Sequence, residues 1–146
     1  MKLSRAVALL AHPTVLAGAS VLATLVARGR RGAVGTRLAV ALPAAVLSSK
    51  WIKRRFPRRK PRLLSLPPRE SFPSGHAAGT TAVALALVDA FRTWKLAPVA
   101  GALIALVDAC RLHDREHRPN EVLVGNALGI AGAGLASLVA RRLAHV

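Results

Sequence analysis

Residues 6–27 read AVALLAHPTVLAGASVLATLVA, a run of 22 residues without a Lys, Arg, Asp or Glu. A helix needs about 20 predominantly apolar residues to cross the hydrocarbon core of a bilayer, so this run is long enough to span a membrane. Its start also resembles a secretory signal, with Ala17-Gly18-Ala19 as the small-residue cleavage site. The apolar run continues well past Ala19, which favours an uncleaved helix.

Four further apolar blocks follow, separated by basic clusters, as is typical of membrane helices whose ends carry Lys and Arg. They cover residues 33–49, 75–91, 96–110 and 122–140. The first of these four is the weakest span, because it contains Arg37 and Pro43. The sequence predicts an all-α integral-membrane helical bundle of about five transmembrane helices. It forms one domain over residues 1–146, with a motif-bearing core at 50–140.

Composition narrows the class of protein further. The chain has 146 residues, of which 53% are hydrophobic, and carries a formal net charge of +16. The apolar content excludes a disordered chain. Three Phe, two Trp and no Tyr leave almost no aromatic surface on which bases could stack, which argues against a nucleic-acid partner. The single cysteine, Cys110, excludes a disulfide framework and a cysteine-rich zinc site.

The last apolar block is rich in glycine. Gly125 and Gly129 have GxxxG spacing and are followed by Gly132 and Gly134. Small residues let helices approach closely in lipid, where packing drives helix association. We expect these glycines to serve helix packing and not catalysis.

Residues 50–72 form a strongly cationic stretch with nine Lys or Arg and the four prolines Pro57, Pro61, Pro67 and Pro68. The prolines argue against a regular helix, so the sequence predicts a loop. Two roles are open for the charges. Most of them suit attraction to anionic lipid headgroups, worth about 1 kcal/mol for each charge near the surface, while one or two can hold a phosphate.

Pro73-Ser74-Gly75-His76 stands at the start of the third block. Ser is a favoured N-cap, Gly lets a ligand approach the backbone, and the N–H groups at a helix start attract anions. A histidine at this place can donate a proton to a bound anion. The alternative is an ordinary helix start with an interfacial His76.

A second polar cluster, residues 111–121, lies between the last two blocks. Pro119 fits the first turn of the final helix and places Glu121 in that turn. Glu121 either complements the helix dipole, worth about 0.3–1 kcal/mol, or accepts the ring N–H of His117 and leaves the other ring nitrogen to attack. Counting membrane crossings puts this cluster, residues 50–72 and the start of the third block on one face. The three segments can therefore converge.

In order and spacing, residues 53–125 resemble the type 2 phosphatidic acid phosphatase and vanadium haloperoxidase superfamily. The first motif of that family, a Lys followed after six residues by Arg-Pro, corresponds to Lys53 and Lys60-Pro61. Its second motif, Pro-Ser-Gly-His, is intact at residues 73–76. Lys60 in place of Arg keeps the charge but loses the bidentate fork that suits phosphate oxygens.

The third motif of the family is Ser-Arg, five residues, His, three residues, Asp. Here it reads Cys110-Arg111, then His117, then Glu121, and continues into the last apolar block. Cys110 in place of Ser removes a good hydroxyl donor, and Glu121 in place of Asp adds one methylene. The three motifs together are highly specific, whereas any one of them alone is not.

The resemblance implies a metal-independent phosphohydrolase that needs no cofactor. His117 would attack phosphorus and form a phosphohistidine, oriented by Glu121, while His76 would protonate the leaving oxygen and then activate water. The phosphate ligands that it implies are Lys53, Lys60, Ser74, Gly75 and Arg111. The remaining histidines match no motif and are expected to be interfacial or solvated: His12, His113 and His145.

A site at the mouth of a membrane bundle indicates a lipid phosphate as the substrate. Phosphatidate, phosphatidylglycerophosphate and polyprenyl phosphates are the candidates, with bilayer lipids as the other partner. The chain resembles small bacterial plasma-membrane members of the family. A cationic membrane protein of weak or no activity that binds anionic lipids is one alternative, and a vanadate-dependent haloperoxidase is another.

Two arguments conflict over which membrane face carries the site. Fourteen Lys or Arg lie on the expected catalytic face and eight on the other, so the positive-inside tendency favours the cytoplasm. Many bacterial relatives hydrolyse lipid phosphates on the outer face. The sequence leaves the orientation and the oligomeric state open.

Overall fold

The computed structural model describes residues 3–26, 31–56 and 72–144. Over these residues the chain forms six α-helices and a short 3₁₀ turn, with no strand. The helices are α1 (Leu3–Leu10), α2 (Pro13–Val26), α3 (Arg31–Arg55), α4 (Gly75–Phe91), α5 (Ala97–His113) and α6 (Pro119–Leu143), and the 3₁₀ turn Trp94–Leu96 precedes α5. The all-α class that the sequence predicts is confirmed.

The first apolar block is not one helix, as the sequence predicts, but two. α1 ends at Leu10 and α2 begins at Pro13. Proline has no N–H and clashes with the carbonyl of the preceding turn, but it fits the first position of a new helix. At 1.5 Å per residue, α1 is roughly 12 Å long and too short to cross a bilayer.

The first part of the cationic stretch, predicted to be a loop, is helical. α3 continues through residues 50–55 and contains Pro43 in its interior, so the predicted loop does not start at Lys50. A helix ends readily before a proline. α3 ends at Arg55, and Pro57 is two residues further along the sequence. Residues 57–71, which include Lys60, lie outside the described residues.

Three helices, α3, α4 and α6, form the centre of the bundle. Val34 and Leu38 are the larger members of their shared core. The other buried members are all alanines: Ala41, Ala45, Ala78, Ala82, Ala86, Ala90 and Ala136. Large apolar side chains such as Leu103, Ile130 and Leu138 point outward instead. In lipid an exposed leucine carries no penalty, and small residues at the contacts let the backbones approach.

Length and composition agree with a membrane bundle. The segments Gly32–Arg55, Trp94–His113 and Pro119–Leu143 are long and apolar enough to cross a bilayer, and α2 and α4 are shorter apolar helices. The protein is therefore an all-α membrane bundle, with α5 beside α4 and α2 beside α3.

Gly125, Gly129 and Gly132 are where the α6 backbone meets the other two central helices, whereas the packing expectation is wrong for Gly134, beside which a Cβ would meet nothing within 4 Å. A Cβ built at Gly125 would lie 2.5 Å from the carbonyl oxygen of Ser74 on α4's N-terminal side, and one at Gly129 would lie 2.6 Å from Cβ of Thr81. Gly132 approaches α3, where a Cβ would lie 2.8 Å from the carbonyl oxygen of Ala41. These distances confirm the packing interpretation of the GxxxG pair.

A partly buried polar chain joins α4, α5 and α6 below the site end of the bundle. The Thr81 hydroxyl donates to Asn126 Oδ1 at 2.8 Å, and Asn126 Nδ2 donates to Asp108 Oδ2 at 2.6 Å. Polar side chains at membrane depth are costly unless they pair, and interhelical hydrogen bonds of this kind are worth about 0.6 kcal/mol on average. They fix how α5 lies against α6.

Candidate active site

The start of α4 is held directly against the start of α6. Ser74 is fully buried, its Oγ accepts the N–H of Ala77 at 3.4 Å as the N-cap, and its own N–H donates to the carbonyl oxygen of Glu121 at 2.9 Å. The second and third motifs are thus in backbone contact.

This contact corrects one part of the expected phosphate site. The Ser74 N–H already donates to Glu121, so it is not available to an anion in this structure. Gly75 and His76 are the first two residues of α4, where the N–H groups have no partner within the helix. They keep the anion-attracting character of this helix end.

The end of α3 reaches the same place. Ser49 Oγ lies 3.7 Å from the position of a Cβ built on Gly75, and Ser49 is 2% exposed. Among the described residues this hydroxyl finds no hydrogen-bond partner. Lys53, in the last turn of α3, lies four residues beyond Ser49 and so on the same helix face.

Sequence reasoning did not single out Ser49. The available signal was its position one helical turn before Lys53 in the first motif. That signal is only useful once the helix is known to continue through residues 50–55.

His117 and Glu121 form a buried pair. Both side chains are 4% exposed, and His117 Nδ1 lies 3.2 Å from Glu121 Oε2. A carboxylate only accepts hydrogen bonds, so Nδ1 carries a hydrogen, and in the neutral ring the unprotonated nitrogen is Nε2. The expected contact between these two residues is therefore present in the structure.

Glu121 also fills the other role considered for it. It is the third residue of α6, and the same Oε2 accepts the backbone N–H of Arg118 at 3.1 Å, as part of a capping box. The two interpretations of Glu121 are not exclusive, since one oxygen caps the helix and contacts His117.

Arg111 is the largest fully buried side chain among the described residues, at 2% exposure. Its Nη1 donates to Glu116 Oε2 at 2.7 Å, and its Nη2 lies 3.7 Å from Asp114 Oδ2. The Arg111 carbonyl oxygen accepts the N–H of His117 at 3.4 Å. Carboxylates thus compensate the buried guanidinium, and the backbone ties it to the His117 segment.

His76 lies on the α4 side of this cluster. The titratable groups near enough to act electrostatically on its ring are Arg111, His117, His12 and Glu116. Arg111 and His117 therefore lie close enough to act on His76, and Glu121 is connected to this group through its contact with His117.

His12 lies beside the site, although the sequence predicts only that it is interfacial or solvated. It is exposed, as expected, but its ring centroid lies 5.9 Å from that of His76 with the planes at 68°. The turn between α1 and α2 brings it there, and no motif marks it. His113 is exposed at the end of α5, and His145 lies outside the described residues.

The Cys110 side chain packs in a small apolar group with Val7 of α1, Ala11 in the turn between α1 and α2, and Val107 of α5. The thiol at the place of the family's serine therefore packs against the N-terminal helix.

Within the described part of the chain, no group of three His, Cys, Asp or Glu is placed to hold a metal ion. What the structure assembles at one end of the bundle is a helix start, a buried arginine and a histidine–carboxylate pair. A site of this kind, on an all-α membrane bundle, suits an anion and nucleophilic chemistry.

The family of the chain follows from its sequence. Residues 34–144 match the family model described as the PAP2 superfamily, and the chain belongs to that superfamily. No curated protein and no solved structure matches the chain. Membership indicates a phosphatase or haloperoxidase-type activity in general terms.

Proposed function

We propose that this protein is a membrane lipid-phosphate phosphatase that hydrolyses a lipid phosphomonoester or diphosphate through a phosphohistidine. The observation that carries the proposal is the buried His117–Glu121 pair beside the start of α4. A histidine with Nδ1 held by a carboxylate presents the lone pair of Nε2, which is the requirement for a nitrogen nucleophile.

In the first step, His117 Nε2 attacks phosphorus as the bond to the lipid oxygen breaks. His76 donates a proton to that leaving oxygen, and Glu121 stabilises the positive charge that develops on the His117 ring. In the second step, His76 takes a proton from water, the water oxygen attacks phosphorus, and the phosphorus–nitrogen bond breaks. Inorganic phosphate leaves and both histidines return to their starting state.

Four groups are assigned to the phosphate oxygens. They are the Arg111 guanidinium, the first-turn N–H of Gly75, the Lys53 ammonium and the Lys60 ammonium. Burial of Arg111 favours this role, because a charge in a region of low dielectric acts more strongly on a developing charge than one in water. Ser74 is assigned to shaping the helix start and not to direct phosphate contact.

The position of the candidate site supports a lipid substrate. The end of a membrane bundle sits at the level of lipid headgroups, so a substrate can keep its chains in the bilayer while its phosphate enters. The choice among phosphatidate, phosphatidylglycerophosphate and polyprenyl phosphate is left to experiment. We place the protein in a bacterial plasma membrane.

The test is phosphate release by the purified protein across these three substrates, with a water-soluble phosphomonoester as the comparison. We expect at least one lipid to be hydrolysed with a higher kcat/KM than the soluble ester. Equal rates for all would overturn the lipid assignment. Halide oxidation in the presence of vanadate, without phosphate release, would point to the haloperoxidase instead, and no activity would point to a lipid-binding protein.

A further inference from the structure

A cationic cavity lies at the end of the bundle opposite the candidate site. Its volume is about 610 Å³, and it is formed by the start of α3, the end of α4 and the end of α6. Three arginines line it, Arg37, Arg92 and Arg141. Most of the remaining lining residues are glycine or alanine, so the space between the guanidinium groups stays open.

The cavity has an excess of positive charge. Arg37 Nε donates to Asp89 Oδ2 at 2.5 Å, and its Nη1 donates to the carbonyl oxygen of Ala33 at 3.1 Å. Among the described residues, Asp89 is the acid that forms an ion pair with a lining arginine. Of the three guanidinium groups that line the cavity, the one of Arg37 is thus paired with a carboxylate in the described part of the chain.

The backbone contributes both signs at this cavity, because the start of α3 brings the positive end of its dipole and the ends of α4 and α6 bring the negative ends of theirs. Gly32 and Ala33 belong to the first turn of α3, the positive end of its dipole. Arg92 ends α4 with a φ of 51°, a conformation that favours glycine. Arg92 therefore has a strained backbone conformation, and it lines the cavity.

We propose that this cavity binds the headgroup phosphate of an anionic phospholipid. It lies at the ends of membrane helices, which is the level of the headgroups, and the exposed Leu138 and Leu143 of α6 offer apolar surface to the acyl chains. Basic pockets between transmembrane helices bind such headgroups, and each arginine near an anionic headgroup is worth about 1 kcal/mol.

The experiment is a titration of the purified full-length protein in detergent with phosphatidylglycerol, followed by native mass spectrometry. Phosphatidylglycerol is a phosphodiester, so a phosphomonoesterase does not consume it. We expect Arg92→Gly and Arg141→Gln each to weaken binding by about fivefold, the equivalent of about 1 kcal/mol. Arg92→Gly also relieves the strained φ, so a loss of folding cannot explain its weaker binding.

Arg142→Gln is the matched control, because Arg142 is exposed, adjacent to Arg141 and not part of the cavity lining. It should leave the affinity unchanged. An equal loss in this variant, or equal affinity for phosphatidylcholine, would overturn the proposal. Complete displacement of the lipid by millimolar inorganic phosphate would show a site for the free anion and would also contradict it.

A second inference concerns His12 and rests on the proposed function. Thr14 donates its backbone N–H to His12 Nδ1 at 3.4 Å, and the Thr14 hydroxyl lies 2.8 Å from the same nitrogen. Nδ1 is therefore the acceptor, which fixes the proton on Nε2 and holds the ring orientation. The ring in turn meets His76 edge to face at 5.9 Å.

The segment that carries His12 packs on α5. Val7 of α1 and Ala11 in the turn after it contact Val107 and Cys110, and Cys110 is next to Arg111 in the sequence. The turn that carries His12 precedes residues 34–144, the part of the chain that matches the family. We infer that His12 is a positioning residue that holds the His76 ring in the orientation for proton transfer.

The test compares His12→Ala with His12→Phe, which keeps a ring edge at this place. His12→Ala should lower kcat by roughly two- to tenfold, the range that an aromatic pair is worth, with KM unchanged, and His12→Phe should recover most of kcat. His113→Ala, which removes an exposed histidine elsewhere, should have no effect. A rise in KM alone, or no recovery with Phe, would contradict the inference.

The outcome separates this inference from the proposed function. An inactive wild type would overturn the phosphatase assignment, and the NMR signals of the His76 ring, compared between wild type and His12→Ala, would then decide the contact. An active wild type with an unaffected His12→Ala variant would overturn only the role of His12.

Discussion

Glu121 uses one carboxylate oxygen for two hydrogen bonds, to the ring of His117 and to the backbone N–H of Arg118. The family pattern has an aspartate at this place, and the added methylene lets the carboxylate of Glu121 cap its own helix start as well as reach His117. A change at Glu121 can therefore act on stability through the cap or on turnover through His117.

Glu121→Gln and Glu121→Asp separate these two effects. A Gln oxygen can still accept the Arg118 N–H, so Glu121→Gln should lower the free energy of unfolding by at most about 1 kcal/mol. It lacks the charge that stabilises the His117 imidazolium and should reduce kcat by a factor on the order of 10⁴. Glu121→Asp keeps the charge and should retain more activity. Near-wild-type kcat in Glu121→Gln, normalised to folded protein, would remove Glu121 from the mechanism.

Cys110 offers a second comparison, because it stands where the family pattern has serine. Its side chain packs among Val7, Ala11 and Val107 and is mostly buried. Cys110→Ser should leave kcat unchanged and lower stability by about 1 kcal/mol, because the new hydroxyl is placed among apolar groups. Thermal unfolding and phosphate release on the same preparation check both effects. A clear gain in kcat would show that the side chain at position 110 faces the phosphate.

At the scale of elements, the candidate site depends on how closely α6 approaches α4. Gly125 lies against the carbonyl oxygen of Ser74, whose N–H is bonded to Glu121. Gly134, on the same helix, has open space where a Cβ would be. The two glycines form a matched pair for the same substitution.

Gly125→Ala should push α6 away from the start of α4, because its Cβ would lie 2.5 Å from a backbone oxygen. Overpacking of this kind costs about 1–3 kcal/mol, and activity should fall by more than the stability loss explains, since Ser74 and Glu121 move apart. Gly134→Ala should be neutral or slightly stabilising. Equal thermal stability and equal kcat for the two variants would contradict the importance of this contact.

The elements also show what a sequence alone can predict. The start of α4 was predictable because Ser74 and Gly75 are local signals, and α6 was marked by Pro119 in its first turn. The break between α1 and α2 had a local signal in Pro13, which the long apolar run outweighed. The hydrogen bond from the Ser74 N–H to Glu121 joins distant backbone groups and leaves no trace in local sequence.

In the candidate site too, contacts between residues close in sequence were predictable and contacts between distant residues were not. The pairing of His117 with Glu121 was predictable, because residues four apart share a helical face. The contact of His12 with His76 was not, because it depends on how the α1–α2 turn folds back over α5. The sequence could not decide whether Glu121 acts at the helix start or on His117, and the structure shows its Oε2 in contact with both the Arg118 N–H and the His117 ring.

At the scale of the whole molecule, two charged clusters lie at opposite ends of one membrane bundle, and the polar chain Thr81–Asn126–Asp108 lies within it. The proposed chemistry lies at one end, and the arginine cavity with its Arg37–Asp89 pair lies at the other. In the proposed mechanism, Lys and Arg side chains stabilise the negative charge on the phosphate oxygens. A hard divalent cation would need oxygen ligands that this site is not expected to supply.

The reaction should therefore be insensitive to chelators. We expect full phosphate release in EDTA and inhibition by vanadate, which resembles phosphorus at its five-coordinate stage. The measurement is initial rate against inhibitor concentration with the same lipid substrate. Loss of activity in EDTA with recovery on adding magnesium would contradict the metal-independent mechanism, and indifference to millimolar vanadate would count against the site.

The most direct measurement is to find where the phosphoryl group goes. The protein is mixed with a lipid phosphate labelled with ³²P, quenched in alkali to preserve phosphohistidine, and digested for mass spectrometry. The account predicts a labelled peptide phosphorylated at His117 in the wild type and none in His117→Ala, which should also release no phosphate. A label on another residue, or phosphate release by folded His117→Ala near the wild-type rate, would contradict the account.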